Sequence, residues 1–453
     1  QYSYNADHQL TQILRPGGDT VSMAYDTAGR PTSLTVAQGA YTYAYDPTTG
    51  QLASVSAPAG STVSYGYDGA LRTSESWSGP VNESVAYAYN DDFLVQSWQV
   101  GNEPAVAYAY NADLQLVQAG EMAYTYAPAS GYLESATLDG VASAWQYTPF
   151  GEMSTYAVTF QTDELYDLAL TRDVAGRVVT KTETVAGVTA VYGYAYDVAG
   201  RLVAVSQDGA VVENYAYDAN GNRVLAGEDT AVYDAQDRLR QRGNHTYTYN
   251  ASGDLTSHTE AGQTTTYDYD SLSNLLAVTL PTGDEITYIV DGHNRRVGKR
   301  VNGVLTQAFL YQGQLNPLAE LDGSGAVVSL FVYGSRGNVP DYMVKHGRVY
   351  HFVTDHLGSV QLVVDAETGD IAQQLSYSAW GVVTQDTNPG FQPFGFAGGL
   401  YDTDTGLVRF GARDYDAASG RWTSKDPLGF AGGDANLYAY VLNNPVNLID
   451  SNG

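Results

Sequence analysis

Few groups of residues in this chain are of the types that metal or phosphate chemistry requires. His351, Asp355 and His356 could suggest a metal site, but no further ligand lies nearby at a recognisable spacing. The turn that begins at Asp218 carries oxygen ligands suited to Ca²⁺, yet it lacks the ligand spacing of a known calcium loop. The recurring Gly-Arg pairs lack the pattern of a phosphate-binding loop. We therefore predict tight turns at these positions, with no metal site and no cofactor.

The composition predicts a β-rich protein and argues against several kinds of partner. The 453 residues include 22 Lys and Arg against 50 Asp and Glu, which gives a formal net charge of −28. Because proteins that bind nucleic acids or anionic membranes neutralise phosphates with basic surfaces, this charge argues against both partners. The 38 tyrosines and 43% hydrophobic residues are too many for a disordered chain. The absence of cysteine excludes disulfides and Cys-ligated metals.

A short motif, Tyr-x-Tyr followed by Asp or Asn, recurs through about the first 270 residues. Its Asp or Asn positions at 5, 26, 46, 68, 90 and 111 are about 20 to 22 residues apart. Between about residues 120 and 175 the letters decay while the spacing survives, so we expect strands there that continue the same array. Clear copies are Tyr43-Ala-Tyr-Asp46, Tyr65-Gly-Tyr-Asp68, Tyr87-Ala-Tyr-Asn90, Tyr108-Ala-Tyr-Asn111, Tyr194-Ala-Tyr-Asp197, Tyr215-Ala-Tyr-Asp218 and Tyr267-Asp-Tyr-Asp270.

Each copy of the motif predicts one β-hairpin. Two tyrosines at i and i+2 lie on the same face of a strand, and an Asp or Asn can end that strand by bonding backbone N–H groups. A Gly follows three residues later, as at Gly29 and Gly200, where a left-handed backbone suits a bulged turn. A single hairpin cannot bury its apolar face, but stacked hairpins can. The sequence therefore predicts an all-β array with very little helix, in which the tyrosines pack across neighbouring strands.

The repeat resembles the YD repeats of RHS proteins, teneurins and the C-component of Tc toxins. From about residue 288 other motifs appear that together resemble the RHS-associated core. They are His351-Phe-Val-Thr-Asp355-His356-Leu-Gly358, Tyr377-Ser-Ala-Trp380-Gly381, Gly406-Leu-Val-Arg-Phe-Gly-Ala-Arg413-Asp414, Gly420-Arg421-Trp422, Asp426-Pro427-Leu-Gly429 and Asn443-Asn-Pro445.

This resemblance implies a hollow β-shell (residues 1–290) closed by a core and plug (residues 291–453). In the bacterial polymorphic toxins of this family, the shell encloses a C-terminal toxin that the core cuts free by self-proteolysis. The expected partners are that cargo, a secretion-system adaptor and an immunity protein that neutralises the cargo. The resemblance also implies a secreted or surface-delivered protein with no turnover activity beyond self-cleavage. The chain starts at Gln1 without a signal peptide, so we expect any targeting signal to lie upstream.

Self-cleavage in the related shells is similar to aspartyl-protease chemistry, in which two carboxylates share a proton and an Arg steadies the developing negative charge. The family's Arg-Asp pair, followed twelve residues later by Asp-Pro, falls on Arg413, Asp414 and Asp426. Asp450 is a possible third acid, because the family commonly has an Asp at this distance from Asn-Asn-Pro, just before the cut. Here Ser451 replaces the Pro that usually follows. The resemblance places the cleavage region at Gly453.

The spacing of these residues does not by itself bring the two carboxylates together. A hairpin that turns between Asp416 and Gly420 would pair residue 414 with about residue 422, which leaves Asp426 roughly 13 Å further along an extended strand. The carboxylates meet only if the chain bends back after Asp426. Asp426 could instead simply cap a turn before Pro427. The catalytic pairing therefore rests on the resemblance.

A second function remains open: an extracellular adhesion module that uses the same repeats to bind carbohydrate or protein, as in teneurin-like surface proteins. The core that ends in a recognisable cut motif favours the encapsulating shell, because an adhesin needs no cut site. The sequence that follows Gly453 in the gene would separate the two functions. A short unrelated domain followed by a small immunity-like reading frame would support the shell.

Overall fold

The computed structural model describes residues 1–453 as forty-two β-strands and three short 3-10 helices, with no α-helix, which confirms the all-β prediction. The 3-10 helices are Phe396–Gly398, Gly429–Gly432 and Val441–Asn443. The strands of residues 1–185 are β1 Tyr2–Tyr4, β2 Leu10–Leu14, β3 Thr20–Tyr25, β4 Pro31–Val36, β5 Gly39–Tyr45, β6 Leu52–Ser56, β7 Thr62–Asp68, β8 Leu71–Ser78, β9 Glu83–Tyr89, β10 Val95–Val100, β11 Val106–Tyr110, β12 Leu116–Ala119, β13 Met122–Tyr126, β14 Leu133–Leu138, β15 Val141–Tyr147, β16 Met153–Phe160, β17 Asp163–Arg172 and β18 Val178–Val185.

The remaining strands follow the same order along the chain. They are β19 Val188–Tyr196, β20 Leu202–Gln207, β21 Ala210–Tyr217, β22 Arg223–Ala226, β23 Asp229–Tyr233, β24 Leu239–Arg242, β25 His245–Tyr249, β26 Leu255–Glu260, β27 Gln263–Tyr269, β28 Leu275–Thr279, β29 Glu285–Val290, β30 Arg296–Val301, β31 Val304–Gln312, β32 Asn316–Asp322, β33 Val327–Val332, β34 Tyr342–Lys345, β35 Arg348–Thr354, β36 Val360–Asp365, β37 Ile371–Tyr377, β38 Val383–Asp386, β39 Leu400–Tyr401, β40 Leu407–Phe410, β41 Arg413–Asp416 and β42 Arg421–Trp422.

Strands β1–β38 form one antiparallel sheet in which each strand pairs with the strands before and after it in sequence. Strands β13–β17 continue this meander, which confirms the prediction of in-register strands across residues 120–175. The pairing also runs through residue 290, where β29 bonds to β30 in the same sheet. The division of the chain at residues 290 and 291 stays a prediction. No helix in the structure has the length and hydropathy needed to cross a membrane.

The turns after the Tyr-x-Tyr strands have the predicted geometry. In one repeat, Asp26 Oδ1 accepts hydrogen bonds from the backbone N–H groups of Ala28 and Arg30, both at 2.9 Å. Gly29 has a φ of +81°, a left-handed conformation that other residues adopt only with strain. The register of β3 against β4 shifts at Tyr25, next to this turn. The local sequence therefore determines each turn.

In most repeats, a hydrogen bond from the second tyrosine of the motif joins a hairpin to the one before it. The Tyr89 hydroxyl donates to the Arg72 carbonyl at 2.8 Å, and the Tyr217 hydroxyl donates to the Leu202 carbonyl at 2.6 Å. The Arg that follows the turn glycine adds a second link. The Arg201 guanidinium lies 4.8 Å from the ring centre of Tyr217 and donates to a carbonyl of the next turn. These bonds place each repeat relative to its neighbour.

The sheet also coils on itself, because residues far apart in sequence meet at a regular offset. Tyr108 donates to the Tyr333 carbonyl at 3.0 Å, and Glu75 accepts from Arg295 at 2.6 Å. The side-chain bonds between the two coils of sheet join residues between 208 and 258 positions apart. An offset of this constancy is what a spiral sheet produces when its second coil packs against its first.

The C-terminal segment, residues 391–453, carries a separate four-stranded sheet of β39–β42. Its aromatic core includes Phe396, Tyr415 and Tyr440, and this core packs against Trp380 from the end of the long sheet. Hydrogen bonds tie the segment to residues from Val178 to Gln373 of the long sheet. The C-terminal segment therefore packs on the part of the long sheet from β18 to β37, as a plug on part of a shell would.

Candidate functional site

The candidate cleavage residues start at strand β41 of the C-terminal segment. Arg413 and Asp414 are the first two residues of this strand, which pairs with β40 on one side and β42 on the other. Since successive side chains of a strand point to opposite faces, Arg413 and Asp414 face different surroundings. The predicted residues are thereby separated into two groups.

On one face, Arg413 gathers two carboxylates and a backbone carbonyl. Its Nη2 donates to Asp426 Oδ2 at 3.1 Å and to Asp450 Oδ2 at 3.2 Å, while its Nε donates to the Gly453 carbonyl oxygen at 2.7 Å. Asp450 Oδ1 accepts from the Gly453 N–H at 3.0 Å. We call Arg413, Asp426, Asp450 and Gly453 the Arg413 cluster. Since both acids bond the same nitrogen, their carboxylates are adjacent.

Asp426 reaches this cluster because the chain leaves the extended strand path after β42. The Asp426 N–H donates to the Leu437 carbonyl at 3.0 Å, and Asp426 Oδ1 accepts from the Leu428 N–H at 2.7 Å in a tight turn. The Asp414 carbonyl accepts a hydrogen bond from the Thr423 N–H, so residue 414 lies opposite residue 423. The sequence predicted residue 422 as its partner, so the register of the hairpin differs by one residue. The bend and the long Arg413 side chain together bring Asp426 to Arg413, although they do not bring it to Asp414.

On the other face, the Asp414 carboxylate lies between two arginines. Arg296 Nη2 is 2.8 Å from Asp414 Oδ1, and Arg409 Nη1 is 3.0 Å from Asp414 Oδ2. The Asp414 side chain is 1% exposed, and no hydrogen bond or ion pair joins it to Asp426. The structure therefore brings Arg413, Asp426 and Asp450 together and holds Asp414 apart from them. The catalytic roles of all four remain predictions.

The sequence reasoning did not identify Arg296 and Arg409. Arg409 lies directly opposite Asp414 in the β40–β41 pair, so a hairpin drawn through Gly411 could have identified it. Arg296 comes from β30 of the long sheet, 118 residues before Asp414 in sequence. No local motif links it to Asp414.

The electrostatics of the Arg413 cluster combine burial with facing negative charge. The Arg413 side chain is 4% exposed, and its guanidinium lies 4.2 Å from the ring centre of Trp422. Burial lowers the pKa of Arg413, although the negative charges of Asp426 and Asp450 oppose that shift. The acids are more accessible, with side-chain exposures of 21% for Asp426 and 32% for Asp450. The Arg413 guanidinium can polarise the Gly453 carbonyl to whose oxygen it is bonded. The two solvent-accessible carboxylates beside it can exchange protons with a water molecule.

A cleft of about 460 Å³ opens beside the cluster between the C-terminal segment and the first strands of the sheet. Arg413 and Asp426 line it together with Tyr2 and Arg15. Gly453 has a φ of +69°, and a Cβ at this position would collide with the Phe410 carbonyl oxygen. Only glycine fits here without a shift of the backbone.

The remaining candidates occupy turns and contacts within the fold. Asp355 Oδ1 accepts from the backbone N–H groups of Leu357 and Ser359, as predicted for a turn. His356 Nε2 donates to the Val446 carbonyl at 2.7 Å, and His351 lies 3.1 Å from the Ser143 hydroxyl. No group of three His, Asp or Glu side chains in the structure is arranged to hold a metal ion.

Comparison with known proteins identifies the fold. A family model described as Teneurin YD-shell matches residues 1–446. The chain belongs to this family. The resemblance seen in the repeats is thereby confirmed, and the spiral of hairpins is a YD shell.

Two teneurins and a nuclease illustrate the similarity of this YD-shell chain. Teneurin-3 of Danio rerio is 28% identical over 98% of the chain, and Teneurin-4 of Mus musculus is 29% identical over 82%. The tRNA nuclease WapA of Bacillus subtilis is 30% identical over 49% of the chain. The matched regions are only 17%, 14% and 10% of those relatives, so the chain corresponds to a small part of each.

A solved structure shares the fold over the full length of the YD-shell chain. The crystal structure of TcdB2-TccC3-TEV superposes with a TM-score of 0.77 and 17% identity, covering 100% of this chain and 27% of that one. The crystal structure of TcdB2-TccC3 gives a TM-score of 0.65 with 16% identity. At these identities the likeness shows the fold alone.

Proposed function

We propose that this chain is part of the encapsulating shell of a secreted RHS-type toxin, and that the shell releases a C-terminal cargo by cutting itself next to Gly453. The observation that carries the proposal is the Arg413 cluster, in which an arginine and an acid bond the carbonyl and the N–H of the same glycine. The similarity to the nuclease WapA and the fold shared with TcdB2-TccC3 support a toxin shell. A secretion adaptor and an immunity protein would be partners of such a protein.

The proposed reaction is hydrolysis of the peptide bond that follows Gly453. Arg413 polarises the Gly453 carbonyl through the 2.7 Å bond to its oxygen. One carboxylate of the Asp426 and Asp450 pair takes a proton from a water, whose oxygen forms a bond to the carbonyl carbon. The other starts the reaction protonated, as a carboxylic acid, and gives its proton to the leaving nitrogen as the carbon–nitrogen bond breaks. The products are a carboxylate on the shell and a free amine on the cargo.

The test extends the gene beyond Gly453 into its natural continuation. We expect two polypeptides from the wild type, with the larger one ending within a few residues of Gly453 by mass spectrometry. Asp426→Asn and Asp450→Asn keep the side-chain shape but cannot move the proton, so each leaves one uncut chain. Arg413→Ala slows cleavage by about 100-fold or more, the effect of losing one donor to a developing oxyanion.

Asp434→Asn is the matched control. Asp434 caps a turn in the same segment by accepting from the Asn436 N–H, and it makes no bond to the Arg413 cluster. This variant is expected to be cut at the wild-type rate. An uncut wild-type chain would remove the self-cleavage proposal and favour the alternative, a YD-shell module that binds carbohydrate or protein partners.

A further inference from the structure

We propose that His356 is an acid-sensitive latch, which holds residues 443–447 of the C-terminal segment on the long sheet and releases them when the histidine is protonated. We call residues 443–447 the strap. The proposal goes beyond the proposed function, because the latch works whether or not the chain cuts itself. It gives a role to the motif of residues 351–358, which the cleavage chemistry does not use.

The strap is held on the long sheet by side-chain hydrogen bonds. The Asn443 and Asn447 side chains bond backbone groups of the long sheet and its turns, at 2.9 and 2.7 Å. His356 Nε2 donates to the Val446 carbonyl between them, at 2.7 Å. Val446 is 4% exposed and packs in the main hydrophobic core. Of the three side chains that hold the strap, only the imidazole changes its charge between pH 5 and 8.

The bond to Val446 decides which nitrogen of His356 carries the hydrogen. A carbonyl oxygen can only accept, so the hydrogen of the neutral imidazole is on Nε2 and Nδ1 has none. Nδ1 is buried and has no hydrogen-bond partner. A second proton must therefore go to Nδ1, where it adds a charge and an unbonded N–H group to a buried site.

The charged groups around His356 come from three parts of the fold. Lys181 lies on β18, where it is paired with Glu183 at 2.8 Å. Arg336 precedes β34, and its guanidinium donates to the His356 carbonyl at 3.1 Å. Asp355 is the neighbour of His356 in the turn, and its Oδ1 already accepts two backbone N–H groups. Burial lowers the pKa of His356 and the two cations add to this shift, whereas Asp355 and the bonded carbonyl oppose it.

These surroundings determine the direction of the response to pH. A histidine that is open to water has a pKa of about 6.5, and the latched His356 has a lower one. The released strap therefore leaves a histidine that binds a proton more tightly than the latched one does. The latch is fully closed above about pH 6.5, and it weakens as the pH falls toward the lowered pKa.

Hydrogen–deuterium exchange followed by mass spectrometry tests the latch on the chain of residues 1–453. Exchange is measured at pH 7.5 and pH 5 and corrected for the intrinsic effect of pH on amide exchange. We expect the opening of peptides that contain the strap to rise about tenfold at pH 5, because protonation favours the released form. Peptides from β3–β5, which lie in the first coil, are expected to keep the same protection at both pH values.

His356→Gln is the variant that removes the titration and keeps the bond. The Gln side chain has an N–H group that can donate to the Val446 carbonyl, so the strap is expected to open equally at both pH values. His351→Gln is the matched control. His351 is a buried histidine of the same motif that lies beside Ser143 rather than the strap, so this variant is expected to keep the tenfold rise.

Two results overturn the proposal. A wild-type strap that opens equally at pH 7.5 and pH 5 shows that no latch exists. A strap that opens at pH 5 as much in His356→Gln as in wild type shows that acid acts through another group. If circular dichroism shows that His356→Gln does not fold, Arg336→Gln replaces it. This variant removes one facing cation, so the rise is expected to shrink, and an unchanged rise contradicts the latch.

Discussion

At the scale of single residues, His351 shows what burial does to a titratable group in this fold. It lies on β35, is 2% exposed and lies 3.1 Å from the Ser143 hydroxyl of the first coil. Burial lowers the pKa of His351 to about 4, because the charged form loses its hydration. The folded protein therefore holds this histidine neutral at every pH above about 4.

This shift predicts a pH dependence of stability. In the unfolded chain the pKa of a histidine is about 6.5, so between pH 6.5 and 4 the unfolded state binds a proton that the folded state does not. The stability is fully present above pH 6.5 and falls as the pH is lowered to about 4, by about 3 kcal/mol in total. Chemical unfolding at pH 7, 6, 5 and 4.5 measures it.

His351→Gln is the matched variant, because Gln keeps a polar group facing Ser143 and does not titrate. The free energy of unfolding is expected to fall less steeply with pH in this variant than in wild type. Parallel pH profiles for the two proteins would show that His351 does not titrate between the folded and unfolded states as the burial argument requires.

At the scale of the strand and hairpin, the second tyrosine of the motif carries a link that the first does not always make. The Tyr89 hydroxyl bonds the Arg72 carbonyl of the preceding hairpin at 2.8 Å, whereas the Tyr87 hydroxyl, two residues earlier on β9, makes no hydrogen bond. The two side chains are both half-buried, so they form a matched pair on one strand.

We expect Tyr89→Phe to lower the free energy of unfolding by about 1 kcal/mol, because the variant leaves the Arg72 carbonyl without its partner. Tyr87→Phe is expected to change it by less than about half of that, since it removes no hydrogen bond. Denaturant unfolding of the two variants beside wild type gives the comparison. Equal losses would mean that the tyrosines act only through the packing of their rings.

At the scale of the whole molecule, a buried charge network joins the two coils of the sheet. Arg295 of the second coil bonds Glu75 of the first coil at 2.6 Å and Asp291 of its own turn at 2.7 Å. Burial works to lower the pKa of Arg295, but the two carboxylates together raise it. Glu75 and Asp291 are fully buried, so this network depends on the coils staying in contact.

Glu75→Gln tests the contact between the coils. The variant removes one of the two charges that balance Arg295, and it is expected to cost about 3 kcal/mol, the lower end of the range for a broken buried pair. Glu134→Gln is the control, because Glu134 is exposed. Thermal unfolding followed by circular dichroism measures both, and a Glu75→Gln midpoint equal to the control's would contradict the coil contact.

The sequence by itself was enough to predict the elements that depend on neighbouring residues. The Asp26 turn uses only residues 26–30, and the Tyr-x-Tyr pairs lie within single strands, so their chemistry is complete within one repeat. The period survived where the letters decayed, because strand and turn lengths are set by pairing rather than by the tyrosines. The family motif was enough to select Arg413, Asp426 and Asp450 from the sequence as candidate site residues.

Only the tertiary structure decided how these elements meet. The offset between the coils depends on the accumulated twist and coiling of many strands, which no single repeat specifies. For that reason the sequence could not link Arg296 to Asp414, although the two lie 2.8 Å apart. It could not divide Arg413 from Asp414 into separate surroundings either, because the faces of β41 acquire different neighbours only when the C-terminal segment packs on the long sheet.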